Sequence, residues 1–184
     1  MKKGAIASSI FIVPRNVLGG VGFISPSDQL NLASIGCGGK GGSDILNATV
    51  NGRERVVALC DVDKNSRDDA QKKFPNAKVF KDYRIMLSEM SESIDAVVVS
   101  TTEHTHAFAT LPALQAKKHV YCEKPMTKTV EEALDVMKTW QKSGQVMQVG
   151  VQSTSMPLWN DVNAQLREGK RGKVVQYQTE FFRN

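Results

Sequence analysis

A glycine-rich turn between two apolar runs constrains the fold of this chain more than any other feature. Residues 32–35 are apolar enough for a buried strand, and they lead into a G-x-G-x-x-G spacing formed by Gly36, Gly38 and Gly41. A second apolar run, at residues 56–60, ends at Asp61, twenty positions after the last of these glycines. Strand, glycine turn, helix, strand and acid follow one another in the order that binds a dinucleotide.

The residue types of this turn suit a diphosphate. The first glycine allows a tight exit from the strand, the second lets the backbone approach the diphosphate, and the third lets the helix pack against the sheet. Free amides and the helix dipole at the start of that helix favour an anion. A glycine triplet also occurs in ligand-free tight turns, so the flanking strand and acid carry the argument. The predicted contacts are Gly36, Cys37, Gly38, Gly39, Lys40 and Gly41.

Asp61 predicts which dinucleotide binds. A carboxylate at the end of the second strand accepts hydrogen bonds from the ribose hydroxyls and repels a 2′-phosphate, so the sequence favours NAD over NADP. The basic residues Lys64 and Arg67 lie nearby, so NADP is disfavoured without being excluded. A phosphate-binding P-loop is excluded, because no Gly-Lys-Ser/Thr closes the turn.

The chain is predicted to be an α/β protein with a doubly wound, mainly parallel Rossmann sheet and helices on both faces. Apolar runs and helix-like segments alternate along residues 31–150. Predicted strands cover residues 32–35, 56–60, 77–80, 94–99, 119–122 and 146–149, and predicted helices cover residues 41–50, 63–74, 82–90, 104–116, 129–142 and 156–168. Residues 129–132 form a capping box, and Gly144 is expected to end that helix.

The two ends of the chain are predicted to lie outside this domain. Residues 1–30 combine a basic start with an apolar run at residues 4–13, which is too short to span a bilayer. They fit either the last part of an export signal or an arm that packs on a partner, so the compartment stays open. Residues 151–184 are expected to hold a linker helix and a long strand at residues 173–182, the start of a truncated second α/β domain. That unpaired strand is a possible contact between copies of the chain.

Composition narrows the function classes. The 184 residues include 41% hydrophobic and 23% charged residues, and the net charge of +5 is scattered along the chain. No long basic block is present, so nucleic acid is not an expected partner. Three cysteines without a C-x-x-C pair are predicted to be small buried residues. His104 and His106 with Cys122 lack a fourth ligand of matching spacing, so no metal site is predicted.

Two further polar segments follow predicted strands. Residues 100–106 read Ser-Thr-Thr-Glu-His-Thr-His, and residues 122–126 read Cys-Glu-Lys-Pro-Met. Ligands of open α/β sheets collect at the carboxyl ends of the strands, so both segments should line the crevice that contains the glycine turn. Oxidation of an alcohol requires removal of its hydroxyl proton, and Lys124 is a suitable base. Pro125 biases Lys124 towards an extended backbone.

Together these motifs resemble the Gfo/Idh/MocA family of oxidoreductases. The resemblance covers residues 31–184 and rests on the glycine turn, Ala-Leu-Cys-Asp at residues 58–61, the Thr-Thr-x-His-x-His-Ala run and Tyr-Cys-Glu-Lys-Pro at residues 121–125. The Glu-Lys-Pro element is the most specific part. Residues 13–20 also resemble exported bacterial members of the family.

The resemblance implies an NAD(P)-dependent dehydrogenase that acts on a sugar, cyclitol or related polyol. Lys124 matches the lysine that contacts the reacting hydroxyl, and His106 matches a histidine near the nicotinamide. Cofactor contacts are implied for Thr101, Thr102 and Glu123, and for Lys124 itself. Thr102 and the next residue, a glutamate, replace the usual proline and asparagine. Because the second domain supplies most substrate contacts in the family, this chain alone is expected to be inactive.

Two other functions stay open. An NAD-dependent glycoside hydrolase of the same family would use the same nucleotide motifs for transient oxidation, elimination and re-reduction. A non-catalytic module that binds a nucleotide or a partner would need neither Lys124 nor His106.

Overall fold

The computed structural model describes residues 19–20, 24–151, 154–170, 172–176, 178 and 180. The apolar run at residues 4–13 lies outside them, so both interpretations of the N-terminal segment remain predictions. The chain divides into two compact units, residues 1–150 and 151–184. No helix of the described residues is both long and apolar enough to cross a bilayer.

The first unit contains a six-stranded, fully parallel sheet in the order β3-β2-β1-β4-β5-β6. This order confirms the predicted doubly wound Rossmann sheet. From β1 the chain adds strands on one side through β2 and β3, and then on the other side from β4 onwards, so the order of addition reverses between β1 and β4. The strands are β1 (Asn31–Ile35), β2 (Arg55–Cys60), β3 (Lys78–Phe80), β4 (Ala96–Val99), β5 (His119–Glu123) and β6 (Met147–Gly150). The helices are α1 (Gly39–Ala48), α2 (Lys64–Lys73), α3 (Tyr83–Met90), α4 (His106–Gln115), α5 (Val130–Ser143) and, in the second unit, α6 (Pro157–Arg167).

The central strands are buried on both faces because successive side chains point to opposite sides of a sheet. Val97 and Val99 of β4 join the core formed with α3, α4 and α5, whereas Val98 joins Ile45 of α1 on the other face. Helices therefore cover both faces, as predicted. Because both faces of the central strands are covered, their sequences are continuous apolar runs.

Polar side chains fix where three helices begin. Asp63 accepts a hydrogen bond from the Ser66 amide at the start of α2, and Asp82 accepts one from the Arg84 amide at the start of α3 (both 2.9 Å). The predicted capping box of α5 is present, with both of its hydrogen bonds. Gly144 ends that helix in the left-handed conformation that glycine adopts without strain.

Two helices differ from the prediction by two residues at an end. Helix α1 begins at Gly39 rather than Gly41, and it ends at Ala48 because Val50 and the next residue are left-handed, with φ values of 49° and 60°. Helix α4 begins at His106, since Glu103–Thr105 forms a separate 3₁₀ turn. Backbone geometry rather than apolar periodicity decides both.

The predicted strand at residues 173–182 is wrong for the part of it that the structure describes. Residues 172–176, 178 and 180 are in no strand or helix, and the side chain of Val175 is 89% exposed. A strand is stabilised by the neighbour with which it exchanges hydrogen bonds, and these residues pair with none.

Candidate cofactor-binding site

A cleft of about 500 Å³ opens at the carboxyl ends of β1, β2 and β4, where the sheet order reverses. This is the position at which doubly wound sheets bind dinucleotides. Its walls come from the glycine turn, the end of β2, the start of α3 and the segment after β4. The lining residues are Ile35, Gly36, Gly38, Lys40, Cys60, Asp61, Val62, Lys81, Tyr83, Ser100, Thr101, Thr102, Thr105 and Ala109.

The glycine turn is packed too closely for side chains. Gly36 has a φ of +82°, and a Cβ there would lie 2.6 Å from the carbonyl oxygen of Ser100. A Cβ on Gly41 would collide with the carbonyl oxygen of Gly36. The start of α1 is thereby drawn against the end of β1, which leaves bare backbone at the cleft beside the first turn of a helix, where free amides favour an anion. This is the cradle that a diphosphate requires.

The Asp61 carboxylate lies against this turn. Its Oδ2 accepts hydrogen bonds from the backbone amides of Cys37 (2.9 Å) and Gly38 (3.3 Å), and its Oδ1 accepts one from the Asp63 amide (3.0 Å). Each carboxylate oxygen has two lone pairs, so acceptor capacity remains for a ribose hydroxyl. The acid is therefore both part of the cleft wall and an anchor of the turn.

The two basic residues near Asp61 are engaged elsewhere. The guanidinium of Arg67 donates to the backbone carbonyl of Asp61 (2.6 Å), and the ammonium of Lys64 pairs with Asp68 (2.5 Å) one helical turn away. The Asp61 carboxylate repels a 2′-phosphate, and the Lys64 ammonium is paired with another carboxylate.

Three threonines shape the segment after β4. The hydroxyl of Thr105 lies 2.7 Å from that of Thr101 and 2.8 Å from the carbonyl oxygen of Thr102. Thr102 stands where proline is usual in the family that the sequence resembles, and its φ of −70° is a value that proline would also adopt. The backbone at this position therefore suits either residue.

His106 joins the two polar segments from a buried position. It is 1% exposed, with Nδ1 2.6 Å from the carbonyl oxygen of Pro125 and Nε2 3.1 Å from that of Thr101. A carbonyl oxygen only accepts and a neutral imidazole carries one N–H, so the tautomer decides which of the two contacts is a hydrogen bond. The contacts give His106 a positioning role between two loops, and its expected role in catalysis stays a prediction.

Lys124 follows β5 with an exposed side chain, and its peptide bond to Pro125 is cis. Its amide donates to Oε2 of Glu123 (2.9 Å), which is only 5% exposed. The structure thus places Glu123 behind the strand end, where it holds the turn, and not on the cleft wall. Of the predicted site residues, the cleft brings together Gly36, Gly38, Lys40, Asp61, Thr101 and Thr102, and Cys37 adds an amide; outside its lining lie Gly39, Gly41, His106, Glu123 and Lys124.

The three cysteines are buried free thiols. Burial, with the nearby Asp61 charge, raises the pKa of Cys37 to about 12, and burial raises the pKa of Cys60 to about 12 and that of Cys122 to about 11. They are therefore protonated at neutral pH and poor nucleophiles. Across the described part of the chain, no group of three or more His, Cys, Asp or Glu side chains has the arrangement of a metal site.

Sequence reasoning missed a polar cluster behind the cleft. Asp44 of α1 is 6% exposed; it accepts a hydrogen bond from Ser100 (2.7 Å) and forms a salt bridge with Lys40. Lys40 also reaches Oε1 of Glu123 (3.2 Å), to which the hydroxyl of Tyr121 donates. The spacing of Lys40 and Asp44, four residues apart on a helix, was the one available signal.

Comparison with known proteins agrees with this geometry. The family model for the oxidoreductase family with an NAD-binding Rossmann fold, Gfo/Idh/MocA, matches residues 30–151. The chain belongs to this family. Its matched region is the NAD-binding domain, so NAD is the cofactor that the cleft is built to hold.

Individual relatives include inositol dehydrogenases. Inositol 2-dehydrogenase 2 of Saccharopolyspora erythraea is 31% identical over 149 residues, which are 79% of this chain and 43% of the relative. The crystal structure of myo-inositol 2-dehydrogenase from Lactobacillus plantarum superposes with a TM-score of 0.72 at 25% identity, covering 80% of this chain and 43% of that one. The WlbA dehydrogenase from Bordetella pertussis, solved with NADH and UDP-GlcNAcA, shares the fold, with a TM-score of 0.67 at 24% identity over 78% of this chain and 43% of that one. The chain thus spans less than half the length of these relatives.

Proposed function

We propose that the protein is an NAD-dependent dehydrogenase of a cyclitol, sugar or related polyol, and that residues 31–150 bind its cofactor. One observation carries the cofactor half of the proposal: Asp61 and the bare glycine turn share one wall of the cleft, with the carboxylate 2.9 Å from the Cys37 amide. The similarity to inositol 2-dehydrogenases supports the substrate class.

The position of each residue in the site determines its role in binding or catalysis. Amides at the start of α1 bind the diphosphate, the bare backbone of the glycine turn lets it approach, and Asp61 orients the adenosine ribose. Bound NAD supplies the hydride acceptor. Lys124, exposed at the end of β5, takes the proton of the alcohol, while Glu123 and His106 hold the turn on which Lys124 stands.

Lys124 can be tested by separating binding from turnover. Turnover is measured on the complete product of the gene, because the inositol dehydrogenases are more than twice as long as the matched region. Formation of NADH is followed with myo-inositol and a panel of sugars, and NAD affinity is measured by calorimetry. We expect Lys124→Ala to lower kcat by about a hundredfold or more, since loss of a general base has this effect, with NAD affinity nearly unchanged.

Lys128→Ala, an exposed lysine four positions later, is the matched control. Full activity of Lys124→Ala would exclude Lys124 as the base. Release of sugar from a glycoside without net NADH would instead identify the NAD-dependent glycoside hydrolase.

A further inference from the structure

Two buried carboxylates share one ammonium beside the cleft. Asp44 and Glu123 are 6% and 5% exposed, and Lys40 forms a salt bridge with each. No other Lys or Arg among the described residues pairs with either carboxylate. The Lys40 side chain is itself 47% exposed and lines the cleft, so the charge that neutralises the buried pair is supplied from the cofactor side.

Each carboxylate is also tied to a loop of the site. The second oxygen of Asp44 accepts a hydrogen bond from Ser100, directly after β4, at 2.7 Å. The second oxygen of Glu123 accepts one from the Lys124 amide at 2.9 Å. Lys40, in the first turn of α1, therefore lies at the junction of the glycine turn and both polar segments.

The cluster packs against Gly150 of β6. A Cβ there would collide with the hydroxyl oxygen of Tyr121 and would lie 2.9 Å from Oε1 of Glu123. Two buried like charges repel each other, and they are stable together only with a well-placed counter-ion. The hydrogen bond to Asp44 raises the pKa of Lys40, so the counter-ion stays charged at neutral pH.

We propose that Lys40 is a positioning residue that couples the cofactor-binding turn to Lys124 through Glu123. An ammonium has three donors; two go to Asp44 and Glu123, and the third is left for a diphosphate oxygen. Binding of the diphosphate then restrains Lys40, through it Glu123, and through Glu123 the Lys124 amide. The coupling is reciprocal, so restraint at Lys124 also favours binding of the diphosphate. The inference rests on the proposed function for the cofactor diphosphate at the glycine turn and for Lys124 as the base.

The test compares Lys40→Met, which removes the charge, with Lys40→Arg, which keeps it. Exchange of the Lys124 amide is followed by NMR with and without NAD, and the Ala33 amide of β1 reports global opening. We expect Lys40→Met to speed exchange at Lys124 about tenfold relative to Ala33 and to abolish the slowing caused by NAD. Lys40→Arg should stay near the wild type, and Lys138→Met, which breaks an exposed pair on α5, should change nothing.

The outcomes distinguish this proposal from the proposed function. Unchanged exchange at Lys124 in Lys40→Met overturns the coupling, whatever the activity. If Lys40→Met does not fold, Lys40→Met with Asp44→Asn removes one buried charge and leaves Glu123, the acceptor of the Lys124 amide, intact. Rapid exchange at Lys124 in that variant supports the coupling, whereas protected exchange refutes it. If the wild-type chain does not bind NAD and exchange at Lys124 still depends on Lys40, the result contradicts only the cofactor assignment.

Discussion

At the scale of single residues, Asp61 combines two tasks in one carboxylate. It holds the glycine turn through the amides of Cys37 and Gly38, and it faces the cleft where the ribose would lie. Its charge matters for both, because an amide to carboxylate hydrogen bond is stronger than a neutral one.

We expect Asp61→Asn to weaken NAD binding by about tenfold and to reduce the preference for NAD over NADP, since the repulsion of a 2′-phosphate disappears. Calorimetric titration with each nucleotide measures both effects. Asp69→Asn, on an exposed position of the next helix, is the control. Equal affinities of Asp61→Asn and the wild type for both nucleotides would contradict this role of the carboxylate.

At the scale of elements, the turn from β1 into α1 depends on how closely backbones approach. Gly36 and Gly52 have nearly the same φ, +82° and +83°, but only Gly36 has backbone atoms next to the position of a Cβ. Alanine substitutions at these two glycines therefore separate the cost of a positive φ from the cost of a steric collision.

Gly52→Ala should lower the free energy of unfolding by about 1–2 kcal/mol, the cost of the left-handed conformation for an L-residue. Gly36→Ala should lower it by more, because the methyl group also displaces Ser100. Urea denaturation followed by circular dichroism compares the two variants. Equal losses would show that the turn accommodates a side chain.

The start of α3 gives a prediction for acid stability. The hydrogen bond to the Arg84 side chain, followed by that to the Arg84 amide, lowers the pKa of Asp82 from 3.8 to about 2. A lowered folded-state pKa stabilises the fold fully above about pH 4, and the contribution is lost as pH falls towards 2.

Asp82→Asn should therefore reduce stability at neutral pH and flatten the pH dependence between about 4 and 2. Thermal unfolding measured across this range tests the expectation, with Asp135→Asn on the exposed face of α5 as the control. A slope in this range that is the same in Asp82→Asn and the wild type would refute it.

At the scale of the whole molecule, the sheet, the apolar clusters on its two faces and the cleft are built from residues 31–150. Residues 151–184 form a separate compact unit. A chain that ends at Gly150 should consequently keep its NAD affinity within about threefold and unfold in one cooperative transition, as single domains of this size do. Calorimetry and thermal unfolding of residues 1–150 beside the full chain test this, and loss of NAD binding in the shorter chain would count against it.

The sequence by itself determined the order of strands and helices, the glycine turn and the acid of the cleft. These features are local. An apolar run needs two covered faces, and a turn with positive φ needs glycine. The lengths of the loop, helix and next strand fix the distance along the chain between the glycine turn and the acid. Residues 173–182 show the limit of local patterns, because an apolar alternation predicts a strand only when a partner exists.

Tertiary structure alone decided what the polar residues near the site do. Lys40 forms a salt bridge with Glu123, and His106 lies against Pro125, across segments that meet only when β1, β4 and β5 stand side by side. A residue type gives the chemistry that a side chain can perform. Its partners and its burial, which decide whether it meets a ligand or holds a loop, arise from contacts between residues far apart in the chain.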